Sequence, residues 1–160
     1  MINMSVHYTS NSNEWTTPQE FYNRLDSEFN FDLDPCSDGY NAKCERFFTK
    51  EDDGLIQDWS NSTVFMNPPY GRAIKDWIRK AYEESKKGST VVALIPSRTD
   101  TQYWHNYVMK AEEIRLVKGR IKFGEGRNSA PFPSAVVIFN PHTRSMPILS
   151  VMESEIKGGR

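Results

Sequence analysis

The sequence has no apolar run approaching the length of a membrane span. Its opening stretch, MINMSVHYTSNSNE, is polar and lacks the charged-then-apolar layout of a secretory leader, so a cytoplasmic site of action is expected. There are only two cysteines, Cys36 and Cys44, without CxxC spacing or a histidine beside either; this argues against a zinc site and suits a reducing compartment. The histidines are few and scattered (His7, His105 and His142), so no metal and no histidine chemistry is assigned. There are no internal repeats and no low-complexity tract, which leaves solenoids and disordered linkers aside.

What is present is the composition of a globular protein: 160 residues, 38% hydrophobic, 26% charged and 12% aromatic, enough for one domain with its own core. The net charge of −1 conceals an asymmetry, because residues 1–60 carry 12 acidic and 4 basic side chains and residues 61–160 carry 9 and 16. An acidic first part suits a cationic ligand and a basic second part a polyanion.

Residues 1–14 read as a flexible lead-in, 15–152 as a single domain, and 153–160 as a frayed tail. Thr17-Pro18-Gln19-Glu20 reads as a helix start with Thr17 as N-cap and Pro18 in the first turn. Phe21, Tyr22, Leu25 and Phe29 continue it as an apolar stripe. Phe31-Asp32-Leu33-Asp34-Pro35 reads as a short strand, and 36–58 as a long polar loop of the kind that carries function. Thr63-Val64-Phe65-Met66 is the next strand. Ile74, Trp77, Ile78, Ala81 and Tyr82 define an amphipathic helix, and 90–95 a strand buried on both faces. A helix beginning near Tyr103 and strands at 113–117, 119–123, 134–140 and 146–151 complete the reading. The alternation predicts an α/β fold with a mostly parallel sheet and an antiparallel hairpin at one edge, its ligand crevice beyond the strand ends.

The stretch that carries the chemistry is Asn67-Pro68-Pro69-Tyr70, immediately after the strand 63–66. The prolines fix φ and bias the preceding residues toward extended backbone, so the loop is stiff. An exocyclic base amine is a poor nucleophile because its lone pair is delocalised into the ring. Acceptors at both of its N–H bonds favour the pyramidal geometry reached as a methyl group arrives. The Asn67 side-chain oxygen and the Pro68 carbonyl are acceptors of that kind, and Tyr70 offers a flat face for a base turned out of the duplex.

The stretches WTTPQEFYNRLDSEFNFDLDP, NAKCERFFTKEDDGLIQDW, VFMNPPYGR, VVALIPSRTDTQYWHNYV, IRLVKGRIKFG and APFPSAVVIF, spanning residues 14–141, resemble the phage-type Dam DNA adenine-N6 methyltransferases. The resemblance implies a Rossmann-like class I methyltransferase sheet, S-adenosyl-L-methionine as methyl donor, and double-stranded DNA as substrate in a bacterial host cytoplasm. It implies a catalytic role for Asn67, Pro68, Pro69 and Tyr70. Cofactor contacts are implied for Thr17 and Pro18, for Asp34 and Pro35 in LDP, for Asp53 in DDGL, and for Asn67. The glycine-rich turn that usually follows the first acid is missing, the chain reading DPCSDG there. DNA contacts are expected from Arg98, Lys118, Arg120, Lys122 and Arg127, with Arg115 in the same basic run, and Phe123 or Phe132 is expected opposite Tyr70. Two alternatives stay open at this point: another planar nitrogen as acceptor (RNA guanine, cytosine N4 or a glutamine amide), and a catalytically dead DNA-binding module on the same fold.

Overall fold

The computed structural model describes residues 15–124 and 128–156. The lead-in 1–14, Arg127 and the last four residues, all of which carry expectations above, lie outside the described residues. Helix α1 (Gln19–Phe29) buries Phe21, Tyr22 and Leu25, and ends where Asn30 takes a left-handed conformation. Helix α2 (Ile74–Lys86) buries Ile74, Trp77, Ile78 and Ala81. It stops at Gly88, whose φ of 117° suits only a residue without a side chain. Helix α3 (Gln102–Asn106) is capped by the Thr101 hydroxyl and runs into a 3₁₀ turn.

The strands are β1 (Thr63–Met66), β2 (Thr90–Pro96), β3 (Glu113–Lys118), β4 (Ser134–Phe139) and β5 (Ile148–Glu153). They form one sheet in the order β1-β2-β4-β3-β5. The sheet is mixed rather than mostly parallel by ladder: β1–β2 and β3–β5 are parallel, while β2–β4 and β4–β3 are antiparallel. These pairings leave β4 running against the other four strands. The antiparallel hairpin β3–β4 therefore lies inside the sheet and not at its edge. Burial gives the reason. Every residue of β4 is buried, as a central strand requires, whereas β5 is largely exposed and takes the rim.

Side chains alternate between two cores. Val64 and Met66, Val91, Ala93 and Ile95, and Ala135, Val137 and Phe139 pack with α2 and α3 on one face. Phe65, Val92 and Leu94, and Val136 and Ile138 pack with α1 on the other. Helices thus cover both faces, which explains the apolar runs without alternation.

Three expectations shift. Residues 31–35 make only isolated parallel bridges, Leu33 with Val64 and Asp34 with Phe47, because the segment changes partner midway: the Asp32 N–H and the Leu33 carbonyl bond to β1, whereas Asp34 bonds to Arg46 and Phe48. The segment 119–123 is not a strand: Gly119 turns at φ 91° and the chain leaves the sheet. At the other end, β5 runs through Glu153, and Ser154 bonds back to Lys118 and Arg24, so the fold extends past the tail boundary read from the sequence.

Candidate active site

The carboxyl ends of β1, β2 and β3 and the amino end of β4 share one edge of the sheet, and the expected loops converge there. Asn67 leaves β1 with its side-chain amide held at both ends. Its Nδ2 donates to the Trp15 carbonyl (2.7 Å) and to Thr17 Oγ1 (3.0 Å), and its Oδ1 accepts from the Tyr70 hydroxyl (3.0 Å). A carbonyl can only accept, so the Trp15 contact fixes which end of the amide is nitrogen. Burial holds the Tyr70 hydroxyl protonated far beyond its usual range, which makes it the donor to Asn67. The second lone pair of Oδ1 is not committed to Tyr70.

Thr17 is buried, and it is not the helix cap expected from the sequence. The cap residue is Pro18, without a side-chain cap bond, because the Thr17 hydroxyl is turned to Asn67 instead. Helix α1 therefore begins one residue later, at Gln19.

A cavity of about 80 Å³ opens beside this amide, lined by Trp15, Thr17, Asp34, Cys36, Lys43, Asn67, Pro68, Pro69 and Tyr70 among others. Asp34 is its acid and is only 6% exposed. Burial pushes its carboxyl up to about 6, against the lowering effect of the Lys43 and Cys36 backbone N–H groups, which donate to it at 3.0 and 3.2 Å. In the absence of the glycine-rich turn, these N–H groups of the DPCSDG loop and the following segment hold the acid in place. Burial also pushes the Cys36 thiol well up, which keeps it protonated.

A second cavity, of about 600 Å³, adjoins the first and shares Cys36 and Pro69 with it. Pro35, Ser37, Tyr40, Glu51, Asp53, Leu55 and Trp77 line it. Asp53 is exposed, takes a φ of 57°, and accepts from the Leu55 N–H at 3.2 Å. The loop beneath it is bolted to the core: Trp59 Nε1 donates to the Gly54 carbonyl (2.9 Å), and the buried Glu84 takes the Trp59 N–H (3.0 Å). Gly54 is obligatory, because a Cβ there would overlap the Pro35 carbonyl oxygen and come within 2.9 Å of the Trp77 ring. Pro18, also expected at the cofactor, is partly buried and does not line either cavity; its carbonyl takes the Tyr22 N–H instead.

Beyond Tyr70 lies an aromatic cluster. Phe123 and Phe132 both meet Tyr70 edge-on, at 6.3 and 5.4 Å between centroids, so both expected partners are adjacent to it. Trp15 completes the cluster at 5.7 Å from Tyr70. The expected cations are placed as follows. Arg98 lies over Phe132 at 5.9 Å, Arg120 donates to the Ala130 carbonyl, and Lys118 is exposed at the end of β3. Lys122 makes a loose ion pair with Glu155 at 3.8 Å. Arg115 does not join them. It is tied to Glu28 through two short bonds of 2.8 and 2.7 Å and to Glu113, bracing α1 against β3.

Sequence reasoning did not single out Trp15, Cys36, Asn41 and Lys43 for the inner cavity, or Tyr40 and Trp77 for the outer one. The available signal was Trp15 itself, a large ring next to a polar lead-in and two residues before Thr17.

A stiff amide-bearing loop, an acid-lined cavity adjoining a larger one, and an aromatic cluster with Arg98 over one of its rings are together the layout of a group-transfer enzyme acting on a planar anionic substrate. Comparison with known proteins narrows this. Residues 5–157 match the family model described as DNA N-6-adenine-methyltransferase (Dam). A DNA N-6-adenine-methyltransferase of Haemophilus phage HP1 is 30% identical over 149 residues, covering 88% of this chain and 86% of the relative. One of Escherichia phage T1 is 30% identical over 102 residues, covering 62% of this chain and 42% of that longer protein. The chain belongs to the DNA N-6-adenine-methyltransferase (Dam) family.

Proposed function

We propose that the protein transfers a methyl group from S-adenosyl-L-methionine to the N6 amine of adenine in double-stranded DNA, on a single Rossmann-like class I methyltransferase domain that begins at residue 15 and ends with β5, in the cytoplasm of a phage-infected bacterium. The observation that carries the reading is the Asn67 amide in the wall of the acid-lined cavity, its nitrogen held by Trp15 and Thr17 and its oxygen facing the Tyr70 hydroxyl of the aromatic cluster.

The two adjoining cavities fit the cofactor. The inner one offers Asp34 to a cationic group, and the outer one has the volume for a nucleoside, with Asp53 at its rim as acceptor for an adenine amine. Thr17, Asp34, Pro35, Asp53 and Asn67 would hold it, with Pro18 supporting Thr17 from the cap position of α1. When bound, the cofactor supplies an electrophilic methyl group on a sulfonium.

The chain's own part is orientation and charge. The uncommitted lone pair of Asn67 Oδ1 and the Pro68 carbonyl accept the two N–H bonds of the target amine, and they stabilise the positive charge that develops on it. Pro68 and Pro69 keep those two oxygens at fixed separation, so the geometry is set before the base arrives. Tyr70 provides the stacking face, and Phe123 and Phe132 bound the base at its edges. Arg98, Lys118, Arg120, Lys122 and Arg127 contact phosphates and set the register without reading sequence.

The test is Asn67→Ala. Removing one preorganised acceptor costs about 10²–10³ in rate, and more where the same group also orients the substrate. Labelled methyl incorporation into DNA, followed by digestion to nucleosides, should drop to background while the circular dichroism spectrum stays native. Wild-type-like incorporation by this variant would falsify the mechanism, and label in cytosine, RNA or protein would reassign the acceptor.

A further inference from the structure

The aromatic cluster is closed. Trp15, Tyr70, Phe123 and Phe132 each touch the other three, with centroids 5.3 to 6.3 Å apart. A base stacked between Tyr70 and a facing ring needs parallel planes roughly 7 Å apart, twice the roughly 3.5 Å of carbon contact. No such slot exists, because both phenylalanines stand nearly perpendicular to Tyr70, at 86° and 81°. One ring has to leave before a base can stack on Tyr70.

The four rings are not equally free to leave. Phe123 and Phe132 are 6% and 7% exposed and belong to the core beneath α1. Tyr70 is fastened to Asn67 through its hydroxyl. Trp15 is partly exposed, lines the inner cavity beside Asn67 and Pro68, and carries the one bicyclic ring of the four, close in outline to a purine. Its tilt of 41° to Tyr70 is also the nearest of the three to a stacked arrangement. The backbone of the segment is pinned independently of the indole. The Trp15 carbonyl accepts from Asn67, and the Thr16 carbonyl accepts from the Gly124 N–H at 2.9 Å. The indole can therefore swing out while Asn67 keeps its orientation.

We propose that Trp15 is a placeholder for the target base: its indole fills the aromatic box beside Asn67 and vacates it when an adenine turns in. This rests on the methyltransferase reading above. In the free protein the indole keeps Tyr70, Phe123 and Phe132 dry, and admission of a base is an exchange of one flat bicycle for another. Only a base that stacks at least as well as the indole is admitted, which adds a selection step before chemistry.

The experiment compares acrylamide quenching of tryptophan emission in the wild type and in Trp15→Phe; the difference between them isolates Trp15 from the buried Trp59, Trp77 and Trp104. Each protein is measured alone, with S-adenosylhomocysteine and a duplex that the wild type methylates, and with a G·C-only duplex of equal length. The methylatable duplex should make the Trp15 emission several-fold more quenchable and shift it to the red, and the G·C-only duplex should not. Trp15→Phe, a smaller plug that keeps the backbone carbonyl, should lower KM for the methylatable duplex. Unchanged quenching in a complex that does methylate, or a raised KM for Trp15→Phe at unchanged Tm, overturns the placeholder and leaves the methyltransferase reading standing. Failure to methylate any duplex overturns both.

Discussion

Protonation of Asp34 should control cofactor affinity. In the free protein its carboxyl titrates near 6, raised from 3.8 chiefly by burial. Between those values the native state holds a proton that the unfolded chain has released, so the free fold loses stability as pH rises through this window. The shift of about two units corresponds to roughly 3 kcal/mol of unfavourable charge burial. A cationic ligand beside Asp34 reverses the sign. It favours the carboxylate, draws the pKa back down, and so binds more tightly as pH rises. If the ligand returns the carboxyl to its ordinary value, affinity should increase about 100-fold in all from below the lower value to above the upper one, with the steepest rise, roughly sevenfold per pH unit, near pH 5 and a plateau above 6. The cofactor's own α-amine titrates near 8, well outside this range. Isothermal titration of S-adenosyl-L-methionine from pH 4.5 to 7.5, repeated in buffers of different ionisation enthalpy, reads both the slope and the proton released on binding. Asp34→Asn should bind weakly at every pH and show no slope. A flat wild-type profile, or the same slope in Asp34→Asn, would refute the assignment of Asp34 as the partner of the cofactor's cation.

Other consequences follow from contacts already described. Gly54→Ala drives a methyl group into the Pro35 carbonyl and the Trp77 ring; it should cost at least ~2 kcal/mol, a fall of roughly 4–8 °C in Tm by calorimetry, and weaken cofactor binding through Asp53. Asn67→Asp turns a carboxylate oxygen toward the Trp15 carbonyl where a donor is required. Its methyl transfer, followed by label incorporation, should therefore fall about as far as that of Asn67→Ala. Lys118→Ala and Arg120→Ala should each weaken DNA binding across sequences and reduce the slope of log K against log salt by about 1 in a fluorescence-anisotropy series. Arg115→Ala should leave that slope unchanged and lower Tm, since its guanidinium is spent on Glu28 and Glu113.

The functional loop was legible because its signals are local. A strand ending in two prolines fixes Asn67 and Tyr70 by covalent geometry alone, and the α2 stripe from Ile74 to Ala81 needs only helical spacing. Sheet order was less legible. The uninterrupted run from Val91 to Ile95 pointed to a strand buried on both faces, but which neighbours flank it depends on contacts between segments far apart in sequence. The assignment of Thr17 as a helix cap went astray for a related reason. Its hydroxyl can serve the N-terminus of α1 or the amide of Asn67, 50 residues away, and local propensity sees only the first. The basic run from Arg115 misled in the same way: the charge was plain, but Glu28, the side chain that takes up Arg115, lies 87 residues upstream. What sequence reading missed at the site, above all Trp15, is held there by such long-range bonds.

Asn67 explains why these distant pieces meet where they do. A side-chain amide donates at one end and accepts at the other at any pH near neutrality. Here the donor end gathers Trp15 and Thr17 from the entrance of α1, and the acceptor end faces Tyr70 and the place where a substrate amine would sit. Each net bond contributes only about 1 kcal/mol. Their joint effect is on direction, because an amide held at its nitrogen cannot turn its oxygen away from the substrate. An alanine loses both ends, and an aspartate keeps the acceptor while repelling the carbonyl that aims it. The same side chain thus fastens Trp15 and Thr17 beside the inner cavity and points the acceptor, so variants at this position should lose the chemistry together with that local hold while the domain stays folded.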